Sequence, residues 1–86
     1  MEVDPTKYGI KALDEEHYDY HQFVVKGLDM LAPERDKVVE EVVMKALKKL
    51  GSGWELDHIN PGSPFYKPGE EVDWPTLWFR KPKSAV

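Results

Sequence analysis

The sequence predicts a small α+β domain in which a single amphipathic helix packs on one face of an antiparallel or mixed sheet, in the order β-α-β-β. The 86 residues match about one small domain. A helical apolar repeat fills 33–50, and three short segments rich in β-branched and aromatic residues flank it. We therefore expect one domain over 1–86, made of an N-terminal extension (1–19) and a β-α-β-β core (20–82) that includes a proline-rich loop (60–75).

The first strand is predicted over 20–28, where β-branched and aromatic residues are dense: Tyr20, Phe23, Val24, Val25 and Leu28. The sequence does not decide the secondary structure of the segment before it, 5–19. Its apolar residues Tyr8, Ile10 and Leu13 fit a helix or an extended chain.

The helix is the clearest element, because its apolar residues repeat with helical spacing: Val38, Val39, Val42, Val43, Ala46, Leu47 and Leu50. Acidic residues come first and lysines last, an order that complements the helix dipole. Gly51 follows the last apolar residue and is a typical helix end. The valines lower the intrinsic helix propensity, so the helix needs a sheet to pack on.

Two further strands are predicted over 54–59 and 76–81. Strict alternation in the first puts His58 on the side of Trp54 and Leu56, as a histidine at the core edge, and puts Ile59 on the opposite side. In the second, Leu77 and Phe79 face the helix and Trp78 and its neighbours face away. The predicted core therefore joins Leu56, Leu77 and Phe79 to Val39, Val42, Val43, Ala46 and Leu47.

One helix covers one face of the sheet, so the second face is predicted to be open. Exposed aromatic residues on such a face are typical of interaction surfaces. The candidate partner-binding residues are Ile59, Phe65, Tyr66, Trp74, Trp78 and Arg80, with Val24 on the same face. The alternative is that the N-terminal 19 residues or the proline-rich loop cover these side chains.

The segment 46–56, with Leu-Gly-Ser-Gly-Trp-Glu-Leu at its end, and the ending Trp-Phe-Arg-Lys-Pro at 78–82 resemble the domain-of-unknown-function 4177 family. These are short bacterial and phage proteins. The resemblance covers about 20–82 and implies the same order of elements, but no activity. It favours a small phage or mobile-element protein that docks on a host or virion assembly. The chain departs from the family in its first 19 residues and its long loop.

Histidines suggest a second class of function. His17 and His21 stand four apart and would share a metal ion on a helix, with Asp14 or Asp19 as a further ligand. On an extended chain they lie over 10 Å apart by strand rise, and the metal site is lost. His58 beside Asp57 could act as a base, but no nucleophile accompanies it in a known pattern.

The leading hypothesis is a non-enzymatic accessory or regulatory protein that binds a protein partner or a second copy of itself, without a cofactor. The absence of cysteine fits the reducing cytoplasm of a bacterium or an infected cell. No apolar run reaches the roughly 20 residues of a membrane span. A nucleic-acid binder remains the third hypothesis, although the net charge of −4 weighs against it. Its candidate residues are Lys45, Lys48, Lys49, Arg80, Lys81 and Lys83 with Trp78.

Overall fold

The computed structural model describes residues 4–63, 69 and 73–83. A short 3-10 helix, Pro5–Lys7, precedes strand β1 (Tyr18–Val24), helix α1 (Arg35–Leu50), strand β2 (Glu55–Asn60) and strand β3 (Thr76–Pro82). The α+β class and the β-α-β-β order are confirmed.

The sheet has three strands in the order β1-β3-β2, and β3 is antiparallel to both neighbours. β1 and β2 therefore run parallel to each other with β3 between them, so the helix connects two strands that do not touch. The last strand of the sequence is the central strand of the sheet, and both outer strands depend on it for their hydrogen bonds.

The core lies between α1 and one face of the sheet. Val39 and Val43 of α1 are fully buried, as are Leu77 and Phe79 of β3, and Ala46 completes this helical stripe. The predicted core is confirmed in these residues, whereas Val42, Leu47 and Leu56 are partly buried at its margin. Leu28 is buried too, in the connection between β1 and α1.

The Leu-Gly-x-Gly-Trp segment closes one end of this core. Gly51 (φ 94°) and Gly53 (φ 89°) adopt backbone angles that favour glycine. At Gly53 a Cβ would also meet the side chain of Lys81 at 3.2 Å. The two turns bring Trp54 back against the core, where it meets the ring of His21 edge-on at 6.3 Å.

β1 begins two residues earlier than predicted and ends at Val24, because Gly27 (φ 84°) turns the chain away from the sheet. The ambiguous N-terminal segment forms neither a long helix nor a long strand. After its 3-10 turn, Tyr8 makes a single parallel bridge to Ile59 at the outer edge of β2.

The predicted alternation in β2 is wrong, because a β-bulge lies between Leu56 and His58. The bulge adds Asp57 as an extra residue and reverses the facing of everything after it. Ile59 therefore pairs with Leu77 and is fully buried in the core, and His58 pairs with Trp78 on the second face. Ile59 is therefore not part of the predicted partner surface, and His58 does not lie at the edge of the core as predicted.

Candidate interaction surface

The outer edge of β1 is the first feature of the surface. The bonds from Lys83 N–H to the His17 carbonyl and from Val25 N–H to the Pro75 carbonyl fix which residues of β1 bond to β3. Since bonded and non-bonded pairs alternate in an antiparallel ladder, the odd-numbered residues of β1 bond inward. The N–H and C=O groups of Tyr20, Gln22 and Val24 therefore point outward, and within the described part of the chain no backbone group pairs with them.

The second face of the sheet is polar and aromatic. It carries Tyr18, Tyr20, Gln22 and Val24 from β1, Glu55, His58 and Asn60 from β2, and Thr76, Trp78 and Arg80 from β3. Val24 pairs with Thr76, which confirms its expected place on this face, and it is 52% exposed. The face lies opposite α1 and spans all three strands.

Arg80 connects the three strands across this face. Its Nε lies 2.6 Å from a carboxylate oxygen of Glu55, one guanidinium nitrogen lies 3.1 Å from Asp57, and its carbon sits 4.5 Å from the ring centre of Tyr18. The hydrogen bond to Glu55 is the main cause that raises the pKa of Arg80, and the negative charge of Asp57 adds to it. The guanidinium is thus already engaged within the chain.

A second cluster lies beside Arg80. The Nδ1 of His58 is 2.6 Å from the other carboxylate oxygen of Asp57, and the imidazole stacks on Trp78 with centroids 5.7 Å apart and planes 9° apart. Asp57 is 8% exposed and His58 only 3%. A carboxylate that orients a histidine is an arrangement used in general-base catalysis, but so buried a ring offers a substrate little access. Its evident effect is to fix Trp78.

The N-terminal segment approaches this face. Gly9 N–H donates to the Ile59 carbonyl at the β2 edge, and Asp14 N–H donates to the hydroxyl of Tyr20 over a distance of 2.8 Å. Because β1 and β2 are opposite edges, the residues between these two anchors cross the width of the sheet. This crossing agrees in part with the alternative that the N-terminal residues cover the second face.

The structure brings together some of the predicted partner-binding residues. Trp78 and Arg80 lie side by side on the second face, both half-buried. Trp74 is half-buried just before β3, and its carbonyl accepts a hydrogen bond from the Thr76 hydroxyl. Phe65 and Tyr66 lie outside the described residues.

The two candidate metal ligands lie in different local structures, because His17 is in a turn and His21 is in strand β1. His21 is inside β1, where its ring contacts Phe23, and His17 precedes the strand with its ring 3.0 Å from Asp14. Three strand residues, 18–20, stand between the two histidines, so their side chains do not project together as they would one turn apart on a helix. Among the described residues no group of three or more candidate ligands could hold a metal ion.

Most of the candidate basic residues do not share a surface with Trp78. Lys45, Lys48 and Lys49 belong to α1, which packs on the core face, whereas Arg80 lies on the second face and is paired with two acids. Lys81 alternates to the helix side, next to Gly53. Trp78 and the lysines that the predicted nucleic-acid site would combine are therefore on opposite sides of the sheet.

Sequence reasoning missed two parts of this surface. The first is the contact of Asp57 with Arg80, because the sequence paired Asp57 only with His58. The second is a groove between α1 and β1, formed by Phe23, Val42 and Ala46 and flanked by Lys45 and Lys49. In the sequence this groove is indicated only by the two lysines on the helix. The sequence does not indicate which strand forms the edge of the sheet, so the groove could not be located.

None of the helices in the described residues is long and apolar enough to cross a membrane. No family model, curated protein or solved structure matches the chain. The resemblance to the domain-of-unknown-function 4177 family therefore stays a prediction.

Proposed function

We propose that this chain is a small non-enzymatic accessory or regulatory protein that works by protein–protein contact, with the outer edge of β1 as the contact. A partner would add an extended strand there and extend the sheet. Backbone hydrogen bonds would supply much of the affinity, and neighbouring side chains the specificity.

The observation that carries this proposal is that no described residue pairs with the outer edge of β1 between Tyr20 and Val24. Free sheet edges are commonly blocked by proline, lysine, a bulge or a covering segment. β1 reads Tyr-Asp-Tyr-His-Gln-Phe-Val and pairs with β3 in unbroken register. Asp19 is its one formally charged residue. By contrast, Tyr8 bridges to the outer edge of β2.

The second face has a supporting role in this proposal. Arg80 is paired with acidic residues of the chain, and His58 stacks on Trp78. Because these side chains are fixed by intramolecular contacts, they support the sheet and are not free to bind a partner. Val24 and Gln22 stand at the margin between that face and the free edge, where an added strand would contact them.

The test is Gln22→Pro, because this substitution removes an outward N–H and leaves the bonds to β3 intact. The control is Gln22→Ala, which loses the side chain and keeps the N–H. Each protein is used as affinity bait in the cells that naturally make it, with mass spectrometry of what is retained. We expect the wild type and Gln22→Ala to retain a partner at stoichiometric level and a folded Gln22→Pro to lose it.

The proposal fails if the wild type retains nothing at stoichiometric level, counting an untagged copy of itself as a partner. It also fails if Gln22→Pro, with a wild-type circular dichroism spectrum, retains the same partner in the same yield.

A further inference from the structure

The groove beside the free edge of β1 carries information about the partner. Phe23 of β1 and Val42 and Ala46 of α1 line an almost wholly apolar groove of about 180 Å³. Because β1 is the edge strand, a strand added to it would lie directly alongside this groove. Every second side chain of that strand would point to the helix side.

The rim of the groove is positively charged. Lys45 and Lys49 stand on its rim, and neither has an ion-pair partner among the residues that the structure describes. They are one helical turn apart, which is about 6 Å along the axis. Side chains on one side of a strand repeat at about 6.8 Å, so two acidic residues separated by one position would match both ammonium groups.

We propose that the segment that pairs with β1 is an extended acidic stretch of a partner protein. Its backbone bonds to the outward groups of Tyr20, Gln22 and Val24, and its helix-side carboxylates pair with Lys45 and Lys49. This inference rests on the proposed function, and it adds the chemistry of the partner.

A second copy of the chain fits the same edge less well. In a symmetric β1–β1 pair centred on Gln22, the twofold axis is perpendicular to the sheet, so both helices lie on one face. All three outward residues would then pair, but Phe23 and the groove lie next to the axis. Lys45 and Lys49 of both copies would meet, and their like charges would oppose association.

The experiment uses short synthetic peptides that alternate valine with glutamate, glutamine or lysine, each titrated into the purified full-length protein. Binding is followed by NMR through the amide signals of Tyr20, Gln22 and Val24. We expect the glutamate peptide to bind, and the lysine peptide to bind at least about tenfold more weakly, as for two exposed ion pairs. High salt should reduce the difference.

Two variants locate the charge preference. Lys45→Glu combined with Lys49→Glu should reverse it, so that the lysine peptide binds better. Lys48→Glu changes a lysine on the same helix that does not line the groove, and should leave the preference in place. Gln22→Pro should abolish binding of all three peptides.

Three results would overturn the proposal. Equal binding of the three peptides, lost in Gln22→Pro, would retain the edge as a contact and reject an acidic partner. A β1-dependent dimer in sedimentation would identify the partner as a second copy. Slow hydrogen exchange at the Tyr20, Gln22 and Val24 amides in the free monomer would show that another segment of the chain covers the edge.

Discussion

The hydroxyl groups of two tyrosines illustrate how differently one atom contributes in two environments. The Tyr20 hydroxyl accepts a hydrogen bond from Asp14 N–H and so holds the N-terminal segment near the second face. The Tyr8 hydroxyl is buried and makes no hydrogen bond of good geometry among the described residues, although the Asp36 carboxylate lies close enough to affect it. Burial is the main cause that raises the pKa of Tyr8, and the charge of Asp36 adds to it.

Substitution of each tyrosine by phenylalanine should separate these cases. Tyr20→Phe should lower the unfolding free energy by about 0.5–1 kcal/mol, because a hydrogen bond is lost. Tyr8→Phe should leave it unchanged or raise it, because an unsatisfied buried hydroxyl is removed. Urea denaturation at pH 7 measures both, and a larger loss from Tyr8→Phe would show that its hydroxyl is in fact bonded.

The same tyrosine predicts a pH dependence. The pKa of Tyr8 is raised in the folded protein, so its neutral form is favoured there. The contribution of neutral Tyr8 to the free energy of unfolding is fully present below the unfolded-state pKa of about 10. It is lost as pH rises through the folded-state pKa. Between pH 9 and 11 the wild type should therefore lose more stability than Tyr8→Phe.

At the scale of elements, the helix and the central strand could be predicted from sequence. Val39, Val43 and Ala46 recur with a helical period, and Leu77 and Phe79 alternate with polar or half-buried neighbours, so local spacing alone defines their facing. β2 could not be predicted in the same way, because a bulge changes the period once. The apolar residues Leu56 and Ile59 stand three apart in this strand, and that odd spacing is the trace of the bulge.

The surface site was less predictable than the fold. Alternation along β3 predicts that Trp78 and Arg80 lie on the second face, but the carboxylates that contact Arg80 depend on the register of β2 against β3. The free edge depends on the order of strands, which short-range patterns do not determine. The position of Lys45 and Lys49 beside the edge strand follows only once the structure shows that this side of the helix lies next to β1.

Because the bulge residue Asp57 contacts Arg80, substitution of Arg80 should affect stability. Arg80→Met leaves the nearly buried carboxylate of Asp57 with His58 as its remaining partner and should cost about 1–3 kcal/mol. Glu55→Gln breaks a more exposed pair and should cost at most about 1 kcal/mol. Adding Asp57→Asn to Arg80→Met should recover part of the loss. Chemical denaturation of the four proteins measures this, and equal losses from Arg80→Met and Glu55→Gln would contradict the assigned role of Asp57.

At the scale of the whole molecule, the order of the strands matters most. β1 and β2 form no ladder with each other, since β3 lies between them and pairs with both. β3 also contributes Leu77 and Phe79 to a core that is thin in any domain of this size. The sheet therefore depends on contacts between distant parts of the sequence, and such contacts slow folding.

A fragment of residues 1–75 should consequently be unfolded, although it retains α1, β1 and β2. It lacks every ladder hydrogen bond of the sheet, and α1 alone, at 16 residues, is marginal as an isolated helix. A synthetic peptide of residues 74–83 should restore the fold when added, because it supplies the central strand. The same peptide with Leu77→Asp should fail, since it would place an unpaired charge in the core. Far-UV circular dichroism and thermal melts follow each mixture, and a cooperative melt of the fragment alone would show that α1 and the outer strands form a stable unit without β3.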